Sequence, residues 1–189
     1  IDIAESFAEQ IGDGSALFNG SSDYIDLGDS TDFDITNSIT LSAWIKVDAI
    51  NQQAFIAGRD DGTNRNYDLL LWSDNKIYWN CHGLSDTQAG SSTTISANEW
   101  YHIAGTYDGS NLKLYINGIL EDSDASTGSI DNDNVSFTIG AREAGVDRRL
   151  DGNISAVGLW QGALTQAQIQ SLMESTSYAK IPADVKSTL

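Results

Sequence analysis

One cysteine, one proline, one methionine and two histidines are all that the 189 residues contain of those four types. With Cys81 alone, no disulfide can close within the chain and no thiolate zinc site can form. Secreted domains of this size often lack disulfides, so the redox compartment stays open. His82 and His102 are well separated, which argues against transition-metal chemistry. Basic residues are scarce too: 10 lysines and arginines face 27 aspartates and glutamates, a net charge of −17. Such a chain lacks the positive footprint that nucleic-acid binding requires, and attraction to anionic membranes is disfavoured for the same reason. No apolar run approaches the roughly 18 residues of a membrane span, so no membrane insertion is expected. The chain opens at Ile1 without a charged-then-apolar leader and reads as a processed form or an excised piece. The acidic excess reads first as a solvated surface; a sharper reading gives some carboxylates to calcium, a hard cation that prefers oxygen ligands.

What the sequence has in quantity is glycine, 17 in all, and short runs of alternating polarity. The length suits one domain with a sizeable core. In SITLSAWIKVD, Ile39, Leu41, Ala43, Ile45 and Val47 alternate with Thr40, Ser42, Trp44 and Lys46, the period of two expected of a half-buried strand. YDLLLW (67–72) and KIYWNC (76–81) flank a polar turn at Ser73-Asp74-Asn75. WYHIAGTY (100–107) and LKLYI (112–116) flank another, and Asn117-Gly118 suits the two positive-φ positions of a type I′ hairpin turn. ALFNG (16–20), DYIDLG (23–28), VSFTIG (135–140) and NISAVGLW (153–160) supply further strands.

One helix is legible. Thr165 with Gln168 makes a capping box, Leu164 with Ile169 a hydrophobic staple, and Ile169, Leu172 and Met173 one apolar face, predicting a helix from about 166 to about 174. Residues 1–14 repeat Ile3, Phe7 and Ile11 every four positions and read as a linker or a short amphipathic helix whose stripe would serve self-association or attachment to a larger assembly. Residues 176–189, with Pro182, read as a C-terminal tail. Many short strands and a single late helix predict an all-β sandwich or barrel.

Taken in order, ALFNGSSDYIDLG, SITLSAWIKVD, NEWYHIAGTYDGSNLKLYINGILED, FTIGA and LDGNISAVGLWQGALTQAQIQSLM resemble the laminin-G-like, concanavalin A-like lectin and glucanase domains over about residues 15–175. The resemblance implies a jelly-roll β-sandwich of two antiparallel sheets, one concave and one convex, here with one short C-terminal helix. Alternating strands must bury one face, and two facing sheets supply the core.

Glycoside hydrolases share that fold, and their chemistry needs two carboxylates about 5–5.5 Å or about 6.5–9.5 Å apart. The glucanase branch of the family places them on one strand as Glu-x-Asp-x-x-Glu. Glu121, Asp122 and Asp124 come nearest, but Ser126 stands where the last glutamate belongs, and a solvated hairpin end is the expected reading. No Gly-x-Ser-x-Gly elbow, His-Glu-x-x-His motif or phosphate-cradling loop is present. The chain is therefore read as a non-enzyme.

Sugar recognition needs aromatic rings for the apolar sugar face and amides, carboxylates or guanidiniums for the hydroxyls. The segment 58–83 is richest in these, with Arg59, Asp60, Asp61, Asn64, Tyr67, Trp72, Tyr78, Trp79 and Asn80; the segment 141–152 adds Arg142, Glu143, Arg148 and Arg149. The expectation is that the two segments line one rim site, with Arg59, Asp60, Asp61, Asn64, Trp72, Tyr78, Asn80, Arg142 and Arg148 as ligand-binding residues. Against it, Trp72 and Trp79 also suit strand packing, and the arginines also suit pairing with surrounding acids. The family resemblance further implies a structural Ca2+ between the early FNG–DY turn and the LDG segment, held by Gly20, Asp23 and Asp151. The leading expectation is a recognition or adhesion module for a glycan or surface protein, outside the cell, at a cell surface or on a virion. A structural virion or adhesin component is the alternative, and a polysaccharide hydrolase the third.

Overall fold

The computed structural model describes residues 14–142 and 147–175. The expectations for 1–13, for Glu143 and for the tail 176–189 lie outside the described residues. Twelve strands follow one another: β1 (Ala16–Asn19), β2 (Ile25–Asp26), β3 (Ile39–Val47), β4 (Ala54–Asp60), β5 (Arg65–Leu71), β6 (Lys76–Cys81), β7 (Gln88–Thr94), β8 (Trp100–Tyr107), β9 (Asn111–Ile116), β10 (Ile119–Ala125), β11 (Thr138–Ile139) and β12 (Asp151–Trp160). The helix α1 spans Gln166–Met173. The first sheet has the order β1-β12-β3-β8-β9-β10 and the second β2-β11-β4-β5-β6-β7, every pairing antiparallel. This is the expected jelly-roll sandwich.

The core lies between the sheets. Ile39, Leu41, Ala43, Ile45 and Val47 of β3 meet Tyr67, Leu69 and Leu71 of β5 and Ile77, Trp79 and Cys81 of β6 in one buried cluster. Each large aliphatic or aromatic side chain removed from water there contributes about 1.5–3 kcal/mol, which is what holds two sheets together without a disulfide. The tryptophan nitrogen is satisfied as well, since Trp79 Nε1 donates to Thr106 O at 3.2 Å. Trp79 is thus a core residue. At the β9–β10 hairpin Asn117 (φ 49°) and Gly118 (φ 71°) take the two left-handed positions that a type I′ turn requires.

Three expectations need correction. Strand β3 is covered on both faces rather than half-buried, since Thr40, Ser42 and Trp44 are buried as fully as their neighbours. The cover is α1: Leu164, Ile169 and Leu172 pack with Ala104, Tyr115 and Trp160 on the outer face of the first sheet, and Thr40 Oγ1 bonds Gly162 O and Leu164 N. The capping box and both staple residues are in place, so a well-signalled helix does the covering. Secondly, β4 and β7 were not anticipated. AFIAGRD is a nearly continuous apolar run with a bulge between Phe55 and Ala57, and QAGSSTT is a polar edge strand, so neither shows clean alternation. Thirdly, Glu121 and Asp122 are not a solvated end. Glu121 accepts from Ser92 N and Thr93 N, and Asp122 from Gly90 N, so β10 of one sheet caps the open edge of β7 in the other.

Candidate functional site

Strand alternation sorts the second sheet. With Tyr67, Leu69, Leu71, Ile77, Trp79 and Cys81 turned into the core, Asp68, Leu70, Tyr78 and Asn80 stand on its outer face. The register sets Asp68 opposite Asn80, Asn80 opposite Gln88, Leu70 opposite Tyr78 and Tyr78 opposite Gly90. A hydrogen-bonded row results: Asn80 Nδ2 donates to Asp68 Oδ1 at 2.9 Å and Gln88 Nε2 donates to Asn80 Oδ1 at 2.8 Å. The row climbs from a buried carboxyl (Asp68, 1% exposed) through Asn80 (7%) to the exposed Gln88 at the edge strand. Beside it the half-exposed Tyr78 ring lies against Gly90, its hydroxyl donating to Asp74 Oδ2 at 2.8 Å. Trp72 stands edge-on to Tyr78 at 6.4 Å.

Beyond β11, Arg142 and Asp147 form an antiparallel bridge. Arg142 N bonds Asp147 O, and the Arg142 guanidinium grips the Asp147 carboxylate with two nitrogens, at 2.8 and 2.5 Å, while standing 3.8 Å from Asp60. Phe55 N donates to Arg148 O at 2.7 Å. The Arg148 guanidinium lies 5.0 Å from the Trp72 ring centre, so the arginine occupies that aromatic face. Arg148 adopts φ 49°, a costly conformation for a residue with a Cβ. Phe55 and Leu70 are buried outside the main core.

Three of the five buried side-chain polar atoms without a hydrogen-bond partner among the described residues belong to this face and its hairpin: Asp68 Oδ2, Arg142 Nη1 and Arg149 Nε. Such atoms are rare in folded proteins and each calls for a reason. Burial, and secondarily the nearby Asp60, raises the Asp68 carboxyl to about 7, against the pull of Asn80, Arg148 and Arg65. His82 Nε2 lies 4.0 Å from Asp68 Oδ2, and burial lowers its pKa, which favours the neutral ring.

The structure brings Asp60, Trp72, Tyr78, Asn80, Arg142 and Arg148 to this one face and the Arg142–Asp147 pair beside it. Arg59 goes elsewhere. It is 1% exposed and sits beneath the sheet, bonding Val135 O, Phe33 O, Asp133 O, Asp29, Asp34 and Asn132, because neighbouring strand residues point to opposite faces. Asp61 and Asn64 form the β4–β5 turn: Asp61 Oδ1 accepts from Thr63 N and Asn64 N, and Asn64 Nδ2 returns to Asp61 Oδ2. These bonds hold the Asp61 carboxyl below its usual value in spite of desolvation. Sequence reasoning missed Asp68, Gln88 and His82. The signal for Asp68 was present, a lone charge inside the apolar run YDLLLW; Gln88 carried none.

Two other places carry less. A cavity of about 320 Å³ lined by Asp32, Phe33, Ile35, Leu159 and Gln161 gathers few polar groups. On the first sheet Ser42 Oγ and His102 Nδ1 are buried without hydrogen-bond partners, so no serine–histidine relay is assembled there. At the implied calcium position, Gly20 N bonds Leu150 O, and a Cβ on Gly20 would meet the Asp151 Cβ at 2.8 Å, so only glycine lets that carboxylate stand against the turn. Asn19 Oδ1 spends itself on the backbone N–H groups of Ser21, Ser22 and Asp23. No group of three or more histidine, cysteine, aspartate or glutamate side chains able to hold a metal occurs among the described residues.

The two stacked sheets, helix-covered on one side and polar on the other, define a lectin-like sandwich. The chain belongs to the concanavalin A-like lectin/glucanases superfamily, whose Laminin_G_3 model matches residues 19–170. Among curated proteins no sequence match was found. Among solved structures it is similar to domain 4 of AbnA, a GH43 extracellular arabinanase from Geobacillus stearothermophilus, in complex with arabinotriose (24% identity, 84% of this chain and 76% of that one, TM-score 0.65). It is also similar to the Ruminococcus gnavus IT-sialidase CBM40 bound to α2,3-sialyllactose (13%, 84% and 96%, 0.69). A third is the heptameric SAP-like pentraxin from Limulus polyphemus (18%, 86% and 82%, 0.63).

Proposed function

We propose that the chain is a non-catalytic glycan-binding module, working outside the cell or at a surface, with the outer face of the second sheet as its site. The observation that carries this reading is the row Asp68–Asn80–Gln88 beside the Tyr78 ring. It sets hydrogen-bonding groups for hydroxyls next to an aromatic surface for the apolar side of a sugar. The arabinotriose and sialyllactose bound to two structural neighbours support it. On this reading the site lies on the sheet rather than at a loop rim, with Gln88 in it and Arg59, Asp61 and Asn64 outside it. With 27 acidic against 10 basic residues, a neutral sugar suits the surface better than an anionic one.

Tyr78→Ala and Gln88→Ala are each expected to weaken binding of the best neutral oligosaccharide from a glycan array about tenfold, the worth of one stacked ring or one good hydrogen bond. Lys113→Ala, on the other sheet, is expected to leave it unchanged. Titration calorimetry reads all three, and undiminished affinity in the first two would remove the site.

Calcium enters as a structural ion. Asp23, Asp151 and the Gly20 carbonyl would hold it, the close Gly20–Asp151 approach being the observation in favour, and when bound it would fasten the β1–β2 turn to β12. A chelator is then expected to lower the melting temperature by several degrees, as loss of a ligand specific to the folded state does. An unmoved melting curve would dismiss the ion.

A further inference from the structure

Resting on the reading of this face as the glycan site, we propose that Asp68 is a positioning residue. Its buried carboxyl fixes which way the Asn80 and Gln88 amides point, and couples the strength of the exposed acceptor to its own protonation. The geometry is directional. A carboxyl oxygen that accepts from Asn80 Nδ2 obliges Asn80 to turn its Oδ1 toward Gln88, and Gln88 to spend an N–H on it. What remains at the exposed end is the Gln88 Oε1, an acceptor for a sugar hydroxyl, with the second Nε2 N–H beside it. If Asn80 faced the other way, the same end would present N–H donors.

The second oxygen explains the coupling. Asp68 Oδ2 is buried without a hydrogen-bond partner, so a proton can reside there without displacing the bond that Oδ1 accepts, and only weakens it. The charged and titratable groups around it are Asp60 on β4, Arg65 on β5, Cys81 and His82 at the end of β6, and Arg142 and Arg148 on the hairpin; Asp131 faces His82. Arg142 is taken by Asp147, Arg148 lies on Trp72, and Arg65 bonds Gly62 O at 3.1 Å, so none of the three neutralises Asp68 by contact. Burial pushes the Asp68 carboxyl to about 7, within reach of ordinary conditions. Once ionised, it draws harder on the Asn80 N–H, and each bond of the row polarises the next.

The test is a pH titration of side-chain amide resonances in the intact chain. Between pH 5.5 and 8.5 the Asn80 and Gln88 NH2 signals are expected to move together with one midpoint near 7. Asn111, remote on β9, should stay still. The Asp68 carboxyl carbon, read in the unmutated protein, should share that midpoint. Asp68→Asn should abolish the movement and His82→Gln should not. The affinity for arabinotriose, used as the neutral probe, should rise about threefold to tenfold across the same range, the worth of one strengthened hydrogen bond. Flat amide signals overturn the proposal, as do signals that follow His82 instead, or an affinity indifferent to a relay that does titrate. If the relay titrates as described but arabinotriose and every other glycan fail to bind at any pH, the glycan reading fails and the amide coupling stands.

Discussion

Arg59→Ala is expected to cost about 3–5 kcal/mol of folding stability, with the denaturant midpoint as readout. The guanidinium makes six hydrogen bonds to six groups spread over 29–34 and 132–135, two segments outside the sheets, the first holding a 3-10 turn at Thr31–Phe33. Its carboxylate partners Asp29 and Asp34 retain 40% and 33% of their side-chain exposure and can turn to water when the arginine is lost. The carbonyl of Val135 has no such escape and carries the penalty of an unmet acceptor, whereas Phe33 O keeps Ile35 N and Asp133 O keeps Asn66 Nδ2. Tyr67 anchors the same place, its hydroxyl donating to Phe33 O at 2.8 Å. Arg59→Lys is expected to recover only a small part, since a single ammonium cannot span a planar fork of five donors. A variant as stable as the parent but unable to bind sugar would return Arg59 to the ligand site.

The second large effect is a pH dependence. The folded-state pKa of Asp68, about 7, lies above its ordinary value of 3.8, so the folded chain binds that proton more tightly than the unfolded one does. Stability from this group is complete below about 3.8 and is lost as pH rises through 7, in total on the order of 4 kcal/mol. His102 acts in the opposite sense. Burial lowers its pKa from 6.5 to about 3, so acid favours the unfolded chain between those values. The two slopes oppose one another between about 4 and 6.5, and the lowered pKa of His82 adds to the second. The difference between the parent and Asp68→Asn isolates the carboxyl. The variant is expected to lose relative stability on going from pH 8 to pH 4, by that same order of magnitude, in urea melts. A difference independent of pH would show that Asp68 is ionised throughout and would remove the basis of the relay.

How much of this could be read beforehand divides along physical lines. Clean period-two runs such as 39–47 and 100–107, the Asn117-Gly118 turn and the Thr165/Gln168 box are local signals, and each stands where the residues place it. Strands β4 and β7 escaped because a bulged apolar run and a polar edge strand lack the alternation that marks half-buried pairing. At the site, the residue types were legible but their faces were not. Arg59 and Asp60 are neighbours in sequence, yet one ties down connecting segments beneath the sheet and the other meets Arg142 on the face above. Gln88 was invisible because its role comes only from the register that sets it opposite Asn80, a long-range pairing that no local pattern encodes.

The proposed site stands or falls on where a sugar touches the chain. Backbone amide chemical shifts followed during titration with a neutral oligosaccharide would show it. The expected changes cluster at Asp68, Tyr78, Asn80, Gln88 and Gly90 and leave Tyr115 and Trp160 of the first sheet undisturbed. Perturbations gathered instead around α1, or at the cavity between Phe33 and Leu159, would contradict it.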